Sequence, residues 1–278
     1  MPEEAPVIRI FIKLISDLYF SIIKYNTILG ISMNALRPEI SVVILCYRAE
    51  DFTPIFVSQV KKVLEARKLN YELVLVGNYN SQSNDRTPKI VQELAARNSK
   101  IQAVVKEKMG MMGWDMRTGL EVATGDLVVV IDGDGQMPPE DIIKVYDKLI
   151  SGGYDIVKTY RDLRFDGKKR VFISRVYNLF LRTLFPKVKI RDANSKPKIF
   201  TREALKKLQL MTNDWFIDGE IIIKASYLNI SIGEVPTNFY LNKNRASFVR
   251  TATIFEFIKN LILYRLYRLR IFLNNANK

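Results

Sequence analysis

The chain contains no histidine among its 278 residues. This absence excludes histidine acid–base chemistry, Ser-His-Asp triads and histidine-ligated zinc. A single cysteine, Cys46, excludes an internal disulfide and favours a reducing compartment. Any catalysis must therefore depend on carboxylates, arginine, lysine, tyrosine or a metal.

Negative charge is also scarce, because 29 Asp and Glu residues stand against 43 Lys and Arg residues and leave a net charge of +14. Such an excess favours polyanionic partners, namely nucleic acid, nucleotide phosphates or an anionic membrane surface. It does not choose among them.

Long apolar runs without charge are missing as well. Residues 7–31 are mostly apolar, but Arg9, Lys13, Asp17 and Lys24 recur on one helical face. The pattern predicts an amphipathic helix that either lies in a membrane interface or packs on the protein. The acidic start of the chain argues against a secretory signal peptide.

Strands and helices alternate between residues 40 and 160. Strands are predicted at 40–46, 72–76, 101–105, 127–131 and 155–159, and helices at 52–67, 88–97, 112–123 and 138–150. This order predicts an α/β domain with a mostly parallel sheet covered by helices on both faces. We place this domain at 39–249, after an N-terminal helix and linker (1–38) and before a basic, apolar C-terminal helix (250–278).

The pattern changes after residue 160. A charged loop is predicted at 162–169, and helices are predicted at 171–184, 203–208 and 218–227. A strand at 230–235 and a basic loop at 241–247 follow. The C-terminal helix is amphipathic, so both chain ends offer apolar helices that carry basic residues.

The most informative segment is 125–140, where the apolar run 127–131 ends in Asp132-Gly-Asp134-Gly-Gln136. Ligands of open α/β sheets bind at the carboxyl ends of the strands. Mg²⁺ is often held by one or two carboxylates together with substrate phosphates. A lone Asp-x-Asp is more simply explained as a polar turn, so the rest of the chain decides its meaning.

Several segments resemble, in the right order, the family 2 nucleotide-sugar glycosyltransferases, and most of all their polyprenyl-phosphate branch, such as the dolichol-phosphate mannose synthases. The segments are 41–51, 116–142, and 234–236 followed by Arg245 and Ser247. The resemblance implies the GT-A fold, which is Rossmann-like, over about residues 40–248.

The resemblance also implies a donor site. Asp132, Asp134 and Gln136 would surround Mg²⁺ or Mn²⁺ on the diphosphate of a donor of the GDP-mannose or UDP-glucose type. The nucleotide would lie beside the ends of the first two strands and the helix before the metal motif, with Cys46, Tyr47, Arg48, Asn78, Arg117 and Asp132.

On the acceptor side, Arg170 and Ser174 match an Arg-x-x-x-Ser pattern that holds the acceptor phosphate in that branch, and Arg161 and Arg245 would add charge. We accordingly expect Asp134, Asp218, Arg170 and Arg245 to take part in catalysis. Asp218 and Glu220 match the position of an acidic pair that supplies a general base. Solvated charge would explain the arginines, and a helix N-terminus would explain one of these two carboxylates.

The sequence departs from the family in three places. The second strand ends in Gly77-Asn78 where relatives usually carry two aspartates, and Arg48-Ala49 replaces an Asn and a Glu. Near Asp192, which has a structural and a functional interpretation of equal weight, Ser195-Lys196-Pro197-Lys198 replaces the usual Ser-Gly-Phe-Arg.

Three hypotheses follow. The first is an inverting, metal-dependent hexosyltransferase that acts on a polyprenyl-phosphate lipid, peripherally bound to the cytoplasmic membrane face. The second is the same fold with a saccharide hydroxyl as acceptor and Asp218 as base. The third is a non-catalytic membrane- or nucleic-acid-binding protein, although no nucleic-acid motif occurs and nucleic acid is not expected as a partner.

Overall fold

The protein is described by a computed structural model over residues 37–242 and 251–269. The predicted N-terminal helix at 7–31, Arg245 and Ser247 lie outside the described residues. The chain divides into two units, Met1–Pro38 and Glu39–Lys278. The fold below is that of the second unit.

A seven-stranded sheet forms the centre of this unit. Its strands in chain order are β1 Ile40–Leu45, β2 Tyr71–Val76, β3 Ile101–Val104, β4 Leu127–Asp132, β5 Ile156–Arg164, β6 Lys198–Thr201 and β7 Ile232–Phe239. Across the sheet the order is β3-β2-β1-β4-β6-β5-β7. Only β6 runs against its neighbours β4 and β5, so the predicted mostly parallel sheet is confirmed.

Helices cover both faces of the sheet. They are α1 Phe52–Ala66, α2 Thr87–Ala96, α3 Met112–Val122, α4 Asp141–Gly152, α5 Lys168–Leu184, α6 Arg202–Leu208, α7 Ile217–Tyr227 and α8 Thr251–Leu263. Successive residues of a strand point to opposite faces. In β1, Val42 and Ile44 therefore join a core with α1, α2 and α4, while Val43 and Leu45 join a core with α3 and α5–α8.

The structure corrects the prediction in the second half of the sheet. Strand β6 was not predicted, because its segment begins with charged residues and a proline. The predicted loop at 162–169 is wrong over its first part, since β5 continues to Arg164 and pairs with β7 through a bulge between Arg161 and Leu163. Strand β7 includes Pro236, which is tolerated because β7 lies at the edge of the sheet.

The described part of the C-terminal helix belongs to the core. Helix α8 continues into a π-helical turn, Tyr264–Arg268. The buried Tyr264 ring packs on Phe185 at the end of α5 and on Phe216 before α7. Within residues 37–242 and 251–269, no helix is long and apolar enough to cross a membrane.

Candidate active site

The Asp-x-Asp turn lies at the carboxyl edge of the sheet. Strand β4 ends at Asp132, which pairs in register with Leu45 at the end of β1. Gly135 has a φ of +72°, and a Cβ there would come within 2.7 Å of the Phe52 ring, so the tight turn requires glycine. The Gln136 backbone N–H donates to Asp134 Oδ1 at 3.1 Å. The turn thereby fixes the Asp134 carboxylate at the edge.

Gln136 joins this turn to the end of β7. Its Nε2 donates to the Tyr240 carbonyl at 2.9 Å, and the Tyr240 N–H donates to the Gln136 carbonyl at 2.8 Å. The predicted metal ligand Gln136 thus links the turn to the segment that follows Phe239. Two parts of the chain a hundred residues apart are held together at one edge of the sheet.

A cavity of about 310 Å³ opens beside Asp134. It is lined by residues 48–51 of the loop between β1 and α1, by Phe52 at the start of α1, and by Asp134 and Asn242. The cavity brings the first loop and the Asp-x-Asp turn together, as a nucleotide site between them requires. Arg48, which has a φ of +54°, donates its backbone N–H to Asp85 Oδ2 at 3.2 Å and a guanidinium N–H to Ser83 Oγ at 3.2 Å.

The two residues before Arg48 differ in environment. Cys46 is buried, its thiol donates to the Ile44 carbonyl, and burial raises its pKa to about 12. It is therefore a neutral, small packing residue at the strand end. The Tyr47 ring is partly exposed and carries the Lys108 ammonium 4.1 Å from its centroid.

Asn78, a predicted nucleotide-binding residue, is completely buried. Its amide nitrogen donates to Asp115 Oδ1 at 3.0 Å and Thr118 Oγ1 at 2.9 Å, and its oxygen accepts from the Lys106 N–H at 2.9 Å. Asp115 is in turn ion-paired with Lys108. Asn78 thus ties the end of β2 to α3, and direct nucleotide contact stays a prediction.

Arg117, on α3, reaches the loop between α6 and α7. Its Nη1 donates to the Met211 carbonyl at 2.9 Å and to Asn213 Oδ1 at 2.5 Å. These contacts hold the loop between α6 and α7 against α3, the helix that precedes β4. The position of Arg117 beside a donor pocket and its contact with a nucleotide remain predictions.

The predicted acceptor residues Arg161 and Ser174 are in contact. Arg161 forms a bidentate pair with Asp192, with Nε to Oδ2 at 2.6 Å and Nη2 to Oδ1 at 2.8 Å, and Nη2 also donates to Ser174 Oγ at 3.1 Å. Burial opposes the charge of Asp192, but Arg161 outweighs it and holds the pKa of this carboxylate well below its usual value. Asp192 therefore orients Arg161.

Arg170 lies in a second pair nearby. Its Nε is 3.3 Å from Asp166 Oδ2, and Asp166 also accepts two hydrogen bonds from Arg164. Burial lowers the pKa of Arg170; Asp166 and the turn residue Asp134 are among the groups that raise it. The charge of Asp134 thus acts on Arg170 in addition to the ion pair with Asp166.

The rings and charges here form one group, which we call the arginine cluster: Arg161, Arg164, Arg170, Asp166 and Phe239. The three guanidinium carbons lie 5.2, 5.6 and 5.9 Å from the centre of the Phe239 ring. Phe239 ends β7 and is followed by Tyr240, which is bonded to Gln136. The arginine cluster is therefore linked to the Asp-x-Asp turn through Tyr240.

Asp218 and Glu220 take different roles. Asp218, at the start of α7, is 1% exposed; its Oδ1 lies 2.6 Å from Lys198 Nζ and its Oδ2 3.2 Å from Lys196 Nζ. Glu220 is equally buried, pairs with Lys224 at 2.7 Å and accepts from the N–H groups of the 211–212 segment. Glu220 thus stabilises the loop, and only Asp218 is joined to the Asp-x-Asp turn, through Lys196.

The two lysines determine the chemistry of Asp218. Burial by itself would raise its pKa, but the charges and hydrogen bonds of Lys196 and Lys198 lower the pKa below the usual value. A carboxylate with a lowered pKa and both oxygens in ion pairs is a weak proton acceptor. Asp218 is therefore poorly suited to act as a general base.

Sequence reasoning missed Lys196 and Lys198 as site residues. Both are buried, and Lys196 Nζ also lies 3.4 Å from Asp132 Oδ2. The available signal was two lysines directly before an apolar segment, at a place where the sequence departs from its relatives. Arg164 and Asp166 were missed as well, because no signal in a charged segment shows that these two side chains pair with each other and become buried.

The residues of the turn fit a hard divalent cation. Asp132 and Asp134 are carboxylates at the open edge of the sheet, and the Asp132 side chain is 28% exposed. Within the described parts of the chain, no group of three or more Asp, Glu, His or Cys side chains is gathered for a metal. Two carboxylates suit Mg²⁺ or Mn²⁺ that takes further ligands from a diphosphate and water.

The fold is that of an α/β protein with carboxylates at the open carboxyl edge of its sheet, and comparison with known proteins gives the family. The model of "Glycosyl transferase family 2" matches residues 41–209. This range covers more than half of the chain. The chain therefore belongs to glycosyl transferase family 2, which confirms the resemblance noted in the sequence.

The chain is similar to curated lipid-phosphate sugar transferases. It is 32% identical to the dolichol-phosphate mannosyltransferase of Pyrococcus furiosus over 83% of this chain and 64% of that protein. It is 32% identical to the undecaprenyl-phosphate 4-deoxy-4-formamido-L-arabinose transferase of Aeromonas hydrophila, over 50% of this chain and 42% of that protein. The chain thus spans about two fifths to two thirds of the length of these relatives.

A solved structure confirms the fold class. The glucosyl-3-phosphoglycerate synthase of Mycobacterium tuberculosis, in complex with Mn²⁺, UDP and glucosyl-3-phosphoglycerate, matches with a TM-score of 0.62 and 18% identity. The match covers 84% of this chain and 81% of that one. At this identity the likeness establishes a GT-A-like fold.

Proposed function

We propose that this protein transfers a hexose from a nucleotide-sugar to a polyprenyl-phosphate-type lipid at a membrane surface, with inversion at the sugar. The observation that carries this proposal is the state of Asp218. A hydroxyl acceptor needs a base, whereas a phosphate is already anionic at neutral pH. Because Lys196 and Lys198 occupy the oxygens of Asp218 and lower its pKa, the site favours a phosphate acceptor.

The arginine cluster supplies the charge that such an acceptor requires. Arg161 is balanced by Asp192, while Arg164 and Arg170 share Asp166. Three arginines therefore face two aspartates, which leaves one positive charge in excess. Arg170, whose side chain is 33% exposed, is the member best placed to contact an acceptor phosphate.

Exposed apolar side chains beside the arginine cluster support a lipid acceptor. Phe172 and Leu179 on α5 are 69% and 58% exposed, and Leu163 and Phe165 before α5 are exposed to a similar degree. An apolar patch next to basic residues suits the interface of an anionic membrane. We therefore place the protein peripherally on the cytoplasmic membrane face, with the lipid phosphate directed to Arg170.

On the donor side, Asp132, Asp134 and Gln136 would hold Mg²⁺ or Mn²⁺, which as a Lewis acid stabilises the departing diphosphate. Residues 48–52 would position the nucleotide in the adjoining cavity. The acceptor phosphate oxygen attacks the anomeric carbon from the face opposite the diphosphate. The ion pairs of Asp218 also make it a poor nucleophile, which supports the proposed single displacement with inversion.

The names of the relatives agree with this acceptor class, because the Pyrococcus protein is named for dolichol phosphate and the Aeromonas protein for undecaprenyl phosphate. Neither name fixes the sugar or the base for this chain. The donor panel in the test therefore includes GDP-mannose, UDP-glucose and UDP-N-acetylglucosamine.

The test offers radiolabelled donors, with Mn²⁺, to the wild-type protein and to Asp134→Ala. The acceptors are a polyprenyl phosphate and the polyprenyl alcohol of the same length. We expect product only with the phosphate, and a loss of roughly 100-fold or more in the variant, since a metal contributes several kcal/mol to such a reaction. Asp147→Ala, which removes an exposed carboxylate on α4, is the control and should retain activity.

Transfer to the alcohol would contradict the phosphate acceptor and restore Asp218 as a base. Calorimetry in the presence of Mn²⁺ would show whether any donor binds. Binding of none of the donors, together with salt-dependent binding of DNA, would support a non-catalytic basic protein instead.

A further inference from the structure

Lys196 is a buried cation directly behind the Asp-x-Asp turn. Its side chain is 2% exposed, and its Nζ lies 3.4 Å from Asp132 Oδ2, 3.2 Å from Asp218 Oδ2 and 3.1 Å from Met112 Sδ. The Asp132 side chain, in contrast, is 28% exposed. Asp132 thus contacts the buried ammonium of Lys196 and is itself partly exposed to solvent.

The neighbourhood leaves part of the Lys196 charge unbalanced. Asp218 is shared, because Lys198 Nζ approaches its other oxygen at 2.6 Å. The Nζ of Lys196 forms ion pairs with carboxylate oxygens of both Asp132 and Asp218, and these pairs favour the charged ammonium. Two lysines therefore share the one buried carboxylate of Asp218. Lys196 forms its second ion pair with Asp132.

One hydrogen-bond donor of Lys196 is poorly used. An ammonium has three N–H groups, and here they face two carboxylates and a thioether. A thioether is a weak acceptor. An oxygen of a bound diphosphate or sugar would be a stronger partner than Met112 Sδ.

We propose that Lys196 is a resident cation of the donor site, which competes with the divalent metal for Asp132 and itself supplies positive charge to the donor diphosphate. This inference builds on the proposed function, since it assumes a nucleotide-sugar at the Asp-x-Asp turn. Lys196 is a positioning residue for Asp132 and a charge for the diphosphate; it takes no proton in the reaction.

The two roles predict effects of opposite sign. A fixed positive charge 3.4 Å from a carboxylate weakens the binding of a second cation there, and burial keeps salt from screening the effect. The same charge strengthens the binding of an anion without metal. A lysine that only supported the fold would weaken both kinds of binding when removed.

The first experiment uses Lys196→Met, which keeps most of the side-chain volume without the charge. Electron paramagnetic resonance measures Mn²⁺ binding without nucleotide, and we expect Kd to fall about tenfold. Calorimetry in EDTA measures the binding of UDP and of GDP, and for the cognate nucleotide we expect Kd to rise about tenfold. Circular dichroism verifies that the variant is folded.

Lys224→Met is the matched control, because it also removes a buried ammonium from an ion pair, the pair with Glu220 at 2.7 Å. We expect it to leave both dissociation constants within about twofold. Lys196→Arg keeps the charge and should retain metal-free nucleotide binding to within about threefold.

A double-mutant cycle tests the route through Lys196. Asp218→Asn frees Lys196 to act on Asp132 alone, so Mn²⁺ should bind several-fold more weakly. In Lys196→Met/Asp218→Asn this weakening should vanish, because Asp218 acts on the metal site through the lysine. Additive effects would overturn the proposal.

A folded Lys196→Met protein with unchanged or weaker Mn²⁺ binding would also overturn the proposal. If the single variant did not fold, the Asp218→Asn result would decide, and unchanged Mn²⁺ binding there would count against Lys196. Absence of UDP and GDP binding by the wild type, with and without Mn²⁺, would instead contradict the proposed function. The Mn²⁺ titration would still show whether Lys196 and the metal compete for Asp132.

Discussion

The two halves of the sheet use charge in opposite ways. In the half formed by β1–β4, the buried strand positions are almost wholly apolar and the carboxylates of the turn lie at the open edge. In the half formed by β5–β7, charged side chains are buried between the elements, among them Lys158, Lys196, Lys198, Asp192 and Asp218. One half carries carboxylates at its open edge, and the other carries buried carboxylates that pair with lysine and arginine side chains of the chain itself.

This difference has a physical meaning. A buried ion pair contributes little net stability, because removing both charges from water costs about as much as their attraction returns. Breaking one partner of such a pair costs far more. The half formed by β5–β7 therefore holds its arginines and lysines in fixed orientations, which would reduce the ordering cost of binding the proposed acceptor phosphate.

The largest effect in the half formed by β5–β7 is expected for Asp192→Asn, because this substitution leaves the Arg161 guanidinium buried without its carboxylate. We expect the free energy of unfolding to fall by about 3–5 kcal/mol, as for other broken buried pairs. Urea unfolding followed by circular dichroism measures the change. Asp155→Asn, which alters a carboxylate hydrogen-bonded to Ser231 near the surface, should cost no more than about 1 kcal/mol.

The dependence of stability on pH is a second test of the pair formed by Arg161 and Asp192. The folded pKa of Asp192 lies below its ordinary value of 3.8, so its contribution is fully present above that pH and is lost as the pH falls through the folded pKa. The wild type should therefore lose stability in strong acid, and Asp192→Asn should show a shallower slope there. Equal slopes would contradict the role of this pair.

Arg170→Met tests whether the arginine cluster binds the acceptor phosphate, because Arg170 is its partly exposed member. Charge-assisted hydrogen bonds contribute about 1.5–3 kcal/mol, so the affinity for a short-chain polyprenyl phosphate should fall roughly 10- to 100-fold. Steady-state kinetics gives KM for acceptor and donor separately, and the donor value should stay within about threefold.

Arg175→Met provides the control for this substitution, since Arg175 is exposed on the same helix, α5. It should leave the acceptor KM within about twofold. A similar loss in both variants would mean that general positive charge attracts the acceptor, and it would contradict a specific site at Arg170.

The smallest expected effect concerns the apolar surface of α5. Phe172→Ser removes a ring that is 69% exposed, so the stability should hardly change, while binding to phosphatidylglycerol vesicles should weaken about tenfold. Ile150→Ser on α4 is the control, because α4 packs on the opposite face of the sheet and Ile150 is 58% exposed. Equal losses of vesicle binding would contradict membrane contact through α5.

The sequence predicted the half formed by β1–β4 well. Each of its strands is a short apolar run followed by a turn, and each helix has a clear period, so local pattern and tertiary structure agree. The Asp-x-Asp turn was visible for the same reason. It follows directly from the end of an apolar strand, and the covalent chain alone places Asp132 and Asp134 at the edge of the sheet.

The half formed by β5–β7 was predicted less well, because its strands contain charged residues that pattern reading assigns to loops. Lys198 is buried in β6 only because Asp218 of α7 meets it, and Arg161 is buried only because Asp192 does. Each of these contacts joins residues 20 or more positions apart. No local signal in the sequence reports such a partner.

The class of fold, the strand that carries the carboxylates and the basic character of the chain can all be inferred from the sequence, since they depend on apolar period and composition. The pairing of Asp218 with two lysines, the burial of Asn78 and the contact between Lys196 and Asp132 arise only when the chain is folded. The protonation and reach of a side chain depend on the charges and burial around it, and folding alone brings those neighbours together.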